Sequence, residues 1–225
     1  MTNSSPPPAG LQLPPLPEPA QRNLALRVQP AAERALRRGH PWLYASAIRE
    51  QSHEGQPGDL AIIFDRKRRF LAAGLYDPHS PIRVRVLQHN EPAPIDGDWF
   101  RQKIAAAVKL RQPLQESPAA SRRPTTGYRL IHGENDGLPA LVVDRYEHTY
   151  VLKLYSTAWA PHLPHFIPAL LDEVSLGHVP DGRLVLRLSR TVAAQRHFLY
   201  GLHDGQVLYG PALQGPAVIL GPWLY

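Results

Sequence analysis

Apolar positions change their period several times along the chain, and each change marks an element. Leu24, Leu26 and Val28 alternate with other residues, which predicts a strand. Pro30 suits a helix start and Gly39 a position just past a helix end. Between them Arg34, Arg37 and Arg38 fall at i, i+3 and i+4, so they share one helix face. Pro41 biases His40 towards an extended conformation. The helix therefore stops there, and an extended segment presents His40, Trp42 and Tyr44. Three strands follow at Leu60 to Phe64, Phe70 to Tyr76 and Ile82 to Leu87. Arg66-Lys67-Arg68-Arg69 fills the turn between the first two, and Asp77-Pro78 separates the second from the third. In the last strand Ile82, Val84 and Val86 share one face, and Arg83 and Arg85 the other.

The second half repeats this alternation of periods. Asp98 can cap a helix striped by Phe100, Ile104, Ala107, Val108 and Arg111. A polar loop spans Gln112 to Thr126. Two strands are predicted within Tyr128 to Tyr146, around a turn built from Gly133, Asn135, Asp136 and Gly137. A third strand lies at Thr149 to Tyr155. Leu163, Phe166, Ile167, Leu170, Leu171 and Val174 repeat at helical spacing, and Pro164 and Pro168 keep that helix short. From Arg183 to Arg190, Leu184, Leu186 and Leu188 face inward, with Arg183 and Arg187 outward.

These elements divide the chain into a disordered Pro-rich tail (1–22), a compact α/β unit (23–90), a linker (91–98), a central α/β domain (99–204) and an uncharged C-terminal segment (205–225). PPLP at Pro14 to Pro17 is similar to a polyproline recognition peptide, or is simply part of a solvated tail. The uncharged end closes on Pro222-Trp223-Leu224-Tyr225, which suggests a docked tail or a chain cut inside a larger fold.

Composition sharpens the functional question. Net charge is +6 and only four of the 25 basic residues are Lys. Residues 1–90 hold twelve basic and seven acidic side chains, so the excess sits in the first half. Guanidinium forks suit phosphate, which points to a polyanion partner there. No Cys is present, which removes disulfides, zinc–thiolate sites and thiol nucleophiles. His162 and His165 are three apart, but prolines around them argue against a shared metal-binding face, so no metal is expected. A signal-like apolar start and a bilayer-length apolar run are both lacking, and a soluble cytoplasmic protein is the expectation.

The candidate RNA-binding residues are Arg37, Arg38, Lys67, Arg68, Arg69, Arg83 and Arg85 for phosphate, with His40, Trp42 and Tyr44 to stack on unpaired bases. Two readings stay open for Trp42, core anchor or base platform. The Arg66 to Arg69 turn is likewise a solvated hairpin tip or a phosphate contact. In YRLIHGENDGLPALVVDRY (Tyr128 to Tyr146), Glu134 and Asp136 are placed to meet Arg129 or Arg145 in a structural ion-paired hairpin; paired carboxylates also suit acid–base or metal chemistry.

That segment resembles the central motif of bacterial ribosomal RNA cytosine-5 methyltransferases that carry an N-terminal PUA domain. Its matching residues are Tyr128-Arg129-Leu130-Ile131, Gly133-Glu134, Asp136-Gly137-Leu138-Pro139 and Val143-Asp144-Arg145-Tyr146. Residues 23–90 resemble the PUA domain of the same family through the Arg-rich helix, His40-Pro41-Trp42-Leu43-Tyr44, and Ala73-Gly74-Leu75-Tyr76 followed by Asp77-Pro78. The resemblance implies an α+β fold: a PUA-like β-barrel, then a small α/β connecting domain, with no complete Rossmann-like methyltransferase domain before the chain ends. It also implies S-adenosylmethionine as cofactor of the full-length family and a Cys nucleophile. This chain has no Cys and no Gly-rich cofactor turn, so no catalytic residue and no bound cofactor are expected. A ribosomal RNA partner is implied. A separately encoded methyltransferase domain docking on residues 205–225, self-association through them, and a stand-alone RNA-binding protein all remain compatible, as do a truncated and a frameshifted gene.

Overall fold

The computed structural model describes residues 8–115 and 125–212. In β1 (Leu24–Val28), Leu24, Leu26 and Val28 are buried and Ala25 and Arg27 face outward. α1 (Pro30–Arg37) follows with Pro30 in its first turn, and Gly39 lies just past its end. Then come β2 (Trp42–Tyr44), β3 (Ile48–Gln51), β4 (Leu60–Phe64), β5 (Phe70–Tyr76) and β6 (Ile82–His89). They form one six-stranded sheet in the order β2-β6-β5-β4-β1-β3. β1 runs parallel to β4, and the other pairs are antiparallel. β5 and β6 approach so closely at Gly74 that a Cβ there would lie 2.2 Å from the Arg85 carbonyl oxygen, so only glycine fits.

α2 (Gly97–Gln115) carries Phe100, Ile104 and Ala107 into the core. Its cap is Asp96, whose Oδ1 accepts the Trp99 N–H at 2.9 Å, rather than the expected Asp98. Gln112, placed by the sequence at a loop start, is still helical. The second sheet comprises β7 (Gly127–His132), β8 (Leu141–Tyr146), β9 (Thr149–Leu154), β10 (Arg183–Leu188) and β11 (Val207–Tyr209), in the order β11-β10-β9-β8-β7. α3 (Leu163–Glu173) crosses between the parallel pair β9 and β10, and the short α4 (Arg190–Ala194) follows β10. Pro168 lies inside α3. It cannot donate to the carbonyl four residues back, but buried Phe166, Ile167, Leu170 and Leu171 hold the helix in place. Arg183 is buried rather than outward, with Nε and Nη2 donating to the Asp181 carbonyl at 3.2 and 3.0 Å.

Residues 8–22 are packed, contrary to the disordered tail read from composition. The Gln12 N–H donates to the Leu208 carbonyl at 2.7 Å, Leu11 bridges Tyr209, and Ala20 N–H donates to Asp59 Oδ1 at 3.0 Å. Leu11, Leu13 and Leu16, spaced among the prolines, cover the second core. Of the uncharged segment 205–225, residues 207–209 are already paired as β11. Residues 1–7 and the aromatic end Pro222 to Tyr225 lie outside the described residues.

The expected fold class needs correction. The first sheet is an open mixed ladder whose end strands β2 and β3 do not pair, not a closed barrel. The second sheet packs against the first. Leu75 and Leu87 of the first sheet belong to the core cluster of the second. Polar contacts cross the boundary as well: Ser156 Oγ donates to Asp77 Oδ2 at 2.8 Å, and His162 Nε2 meets the Gly58 carbonyl at 2.7 Å. The rings of His79 and Phe198 stack at 4.5 Å. Shared apolar burial with satisfied polar groups makes the two sheets one packed body.

Candidate nucleic-acid interface

Asp65, the last residue before the Arg-rich turn, organises the basic surface. Its Oδ1 accepts the backbone N–H groups of Lys67 and Arg69 at 2.8 and 2.9 Å. Its Oδ2 accepts Arg69 Nε at 2.8 Å and Arg37 Nη2 at 2.6 Å. The carboxylate is 1% exposed. The backbone hydrogen bond from Arg69, with the Arg69 side chain and the Lys67 N–H behind it, holds its pKa at about 2 against the effect of burial. Glu33 on α1 ties in Arg37 at 3.3 Å and Arg66 at 3.4 Å. The result is a cleft of about 400 Å3 in which Arg37, Arg66, Lys67 and Arg69 outnumber Glu33 and Asp65. Each guanidinium has five donors, so Arg37 and Arg69, both substantially exposed, keep donors to spare. Arg38 caps the C-terminal end of α1, its Nε donating to the Arg34 carbonyl at 3.3 Å.

The two strand arginines part company. Arg83 donates to the Pro78 carbonyl and lies 5.9 Å above the Tyr76 ring. Arg85 is 7% exposed, with Asp77 Oδ2 at 3.4 Å, the Ile82 carbonyl at 3.2 Å and Ser80 Oγ at 3.4 Å. Burial pulls its pKa below the usual arginine value, and the charges of Asp77 and Glu134 oppose that shift. A phosphate contact for Arg85 is therefore corrected to a buried structural cation. Strand alternation places it on a polar face, and the second sheet covers that face.

His40, Trp42 and Tyr44 form an edge-to-face group with ring centroids 6.0 to 6.5 Å apart. His40 and Tyr44 are exposed. Trp42 is half-buried, and its Nε1–H donates to Glu134 Oε1 at 2.9 Å.

Within the Tyr128 to Tyr146 segment the carboxylates find partners other than those expected. Gly133–Asp136 is a 3-10 turn closed by Gly137 at φ 73°. Asp136 forms a two-pronged pair with Arg111 of α2 at 2.8 and 2.7 Å and accepts the His132 N–H at 2.6 Å. Arg129 pairs with Asp144 at 2.8 Å. Arg145 donates to the Tyr128 hydroxyl and the Glu147 carbonyl and lies above the Tyr128 and Tyr150 rings. A second cleft, of about 210 Å3, is lined by Tyr128, Arg145, His148, Tyr150 and Glu173. Among the described residues no group of three or more His, Asp or Glu could hold a metal ion, and no helix is long and apolar enough to cross a membrane.

Sequence reasoning missed Asp65, Asp77 and Arg111. For Asp65 a signal existed: an Asp opening a four-residue turn can bond the backbone two residues on. The same signal stood at Asp77, which accepts the His79 N–H at 3.1 Å; for Arg111 there was none, because Asp136 lies 25 residues away.

The profile of a PUA-like domain matches residues 26–89. A ribosomal RNA large subunit methyltransferase of Deinococcus radiodurans is 48% identical over 196 residues, 87% of this chain and 46% of that protein. A ribosomal RNA large subunit methyltransferase I of Pseudoalteromonas atlantica is 35% identical over 143 residues, 64% of this chain and 35% of that protein. Among solved structures, a Streptococcus mutans protein described as a SAM-dependent methyltransferase superposes with a TM-score of 0.67 at 14% identity. It covers 87% of this chain and 46% of that one. A second solved protein of the methyltransferase class, in complex with SAH, has a TM-score of 0.63. These likenesses overturn the expected fold class, a PUA-like barrel and small connecting domain with no complete Rossmann-like methyltransferase domain, since 87% of the chain superposes on a structure described as a methyltransferase. The chain thus carries a PUA-like domain and is homologous to ribosomal RNA large subunit methyltransferases, of whose length it spans about half.

Proposed function

We propose that these residues are the RNA-recognising region of a ribosomal RNA methyltransferase, with the first sheet gripping RNA and the second holding it in a fixed orientation. The observation that carries this reading is the Asp65-organised cleft between α1 and the β4–β5 turn. It concentrates cations, pre-orders them, and lies within the PUA-like residues. Pre-ordered guanidinium groups lose little side-chain freedom when they meet phosphate. Exposed His40 and Tyr44 supply stacking surface beside α1.

Methyl transfer itself is assigned to groups beyond the described residues. Addition to a pyrimidine to reach its C5 begins with a thiolate, and this chain has no Cys, so such a nucleophile would come from outside these 225 residues. S-adenosylmethionine, the methyl donor implied by the homologues, does not fit the clefts described. Both are lined by guanidinium groups that would repel its sulfonium, and the one of about 210 Å3 also falls below the roughly 300 Å3 lower bound of ordinary ligand pockets.

Affinity for structured ribosomal RNA fragments, measured against salt, tests the reading. Micromolar or tighter binding with a negative log–log slope is expected. Absence of binding at low salt rejects it.

A further inference from the structure

The β4–β5 turn divides its four cations between two clefts. Arg66, Lys67 and Arg69 line the cleft against α1, while Arg68 lines a separate groove on the outer face of the first sheet. That groove, of about 480 Å3, has Ala25 and Phe64 as its apolar floor and Arg27 and Arg68 at its sides. We propose that it receives an unpaired nucleobase of single-stranded RNA, stacked on Phe64, with the flanking phosphates held by Arg27 and Arg68. This rests on the RNA-binding reading above and adds a site to it.

The floor follows from strand register. Arg27 of β1 pairs with Phe64 of β4, and Ala25 with Ile62, so these side chains share the face opposite the buried Leu24, Leu26 and Ile63. Phe64 is thus an aromatic on the outward face of a sheet, half-exposed rather than part of the core. The small Ala25 beside it leaves depth. Backbone groups at the rim are already satisfied: Ala25 N–H donates to Ser52 Oγ and Ser52 N–H to the Ala25 carbonyl, both at 3.0 Å. What the groove still offers is an aromatic face, two guanidinium groups and the Glu50 carboxylate paired with one of them.

Charge decides the occupant. Arg68 takes φ 61°, a left-handed conformation unusual for a residue with a Cβ. Its guanidinium makes no hydrogen bond or ion pair among the described residues. Arg27 pairs with Glu50 at 3.0 Å, but both side chains are well exposed. Such a pair contributes little and can be exchanged for phosphate. Cations flanking an aromatic floor complement a single strand, whose bases have open faces. A duplex keeps its bases stacked inside and could use only the cations. Because both clefts share one turn, a strand crossing it would keep phosphates near cations on either side.

Equilibrium binding of the full chain to a single-stranded oligoribonucleotide carrying 2-aminopurine, and to the matching duplex, tests the proposal. The wild type is expected to quench 2-aminopurine on binding. Phe64→Leu is expected to weaken single-strand binding about tenfold and abolish the quench while leaving duplex affinity unchanged. Phe64→Trp should retain both the affinity and the quench. Arg68→Gly, which also relieves the backbone, should lower the salt slope for the single strand by about one. Phe64→Leu binding and quenching like the wild type, while Arg38→Ala weakens both RNAs, overturns the groove and leaves the RNA reading intact. Equal losses in Phe64→Leu and Phe64→Trp with Arg68→Gly unaffected mark a packing defect and also overturn it. A wild type that binds neither RNA overturns both readings.

Discussion

The indole Nε1–H of Trp42 donates to the Glu134 carboxylate at 2.9 Å, joining residues 92 apart in sequence across the boundary between the two sheets. Glu134 Oε1 also accepts the Ala140 N–H at 3.3 Å. Trp42 pairs in register with buried Arg85, whose pKa responds to the Glu134 charge. The tryptophan therefore rivets two sheets, and its polar edge is committed. Phe at position 42 keeps an aromatic ring but leaves Glu134 short of a donor, at a cost of about 1–3 kcal/mol. Urea unfolding of Trp42→Phe should show that loss while RNA affinity stays within about twofold. A tenfold drop in affinity with unchanged stability would reassign Trp42 to base stacking.

Asp136 and Arg111 make a two-pronged pair with side chains only 7% and 12% exposed. Removing one partner leaves the other charged and nearly dry, so Asp136→Ala should cost about 3–5 kcal/mol. Arg111→Lys keeps the charge but not the fork and should fall between wild type and Asp136→Ala. Thermal and chemical unfolding of the three proteins gives the ranking; an Asp136→Ala variant as stable as wild type contradicts the pairing.

The basic residues should separate into two classes. Arg38→Ala, at the C-terminal end of α1, and Lys67→Ala, in the cleft's turn, are each expected to reduce the salt slope of RNA binding by about one and leave stability nearly unchanged. Arg85→Ala, which leaves Asp77 without its buried cation, should instead destabilise by about 3–5 kcal/mol. Paired titrations and melts distinguish the classes. An Arg85→Ala protein that folds normally but loses a unit of slope would refute the assignment.

Acid sensitivity should trace to His162. Its Nε2 meets the Gly58 carbonyl at 2.7 Å. Burial lowers its pKa to about 4, opposed by that hydrogen bond. The unfolded chain titrates near 6.5 and so binds protons first. Stability is full above about pH 6.5 and falls as pH drops towards 4, by up to roughly 3 kcal/mol. Asp65 works in a lower window. Its stabilising contribution is present above its ordinary value of 3.8 and is lost as pH falls through about 2. Denaturant melts of His162→Gln between pH 7 and pH 4 should be flatter than wild type; an identical pH profile removes His162 as the cause.

Alternation of period two was enough to place Leu24–Val28, whereas Leu60–Phe64 and Phe70–Tyr76 showed as short apolar runs bounded by turn residues. Proline and glycine likewise bounded α1. The basic character of the first half, and the Arg-Lys-Arg-Arg turn, were equally legible. Long-range packing set the rest. The edge strand β3 is mostly polar, so it carries no alternation to read. The β1–β4 pairing is parallel and nonlocal. Arg83 and Arg85 share a strand face, yet only Arg85 is sealed in by the second sheet. Asp136 took Arg111, 25 residues away, over nearer arginines. A local pattern states which side of a strand is polar. Whether that side meets water, phosphate or another sheet depends on chain segments that come together only in the folded state, where desolvation and pairing assign each charge its partner.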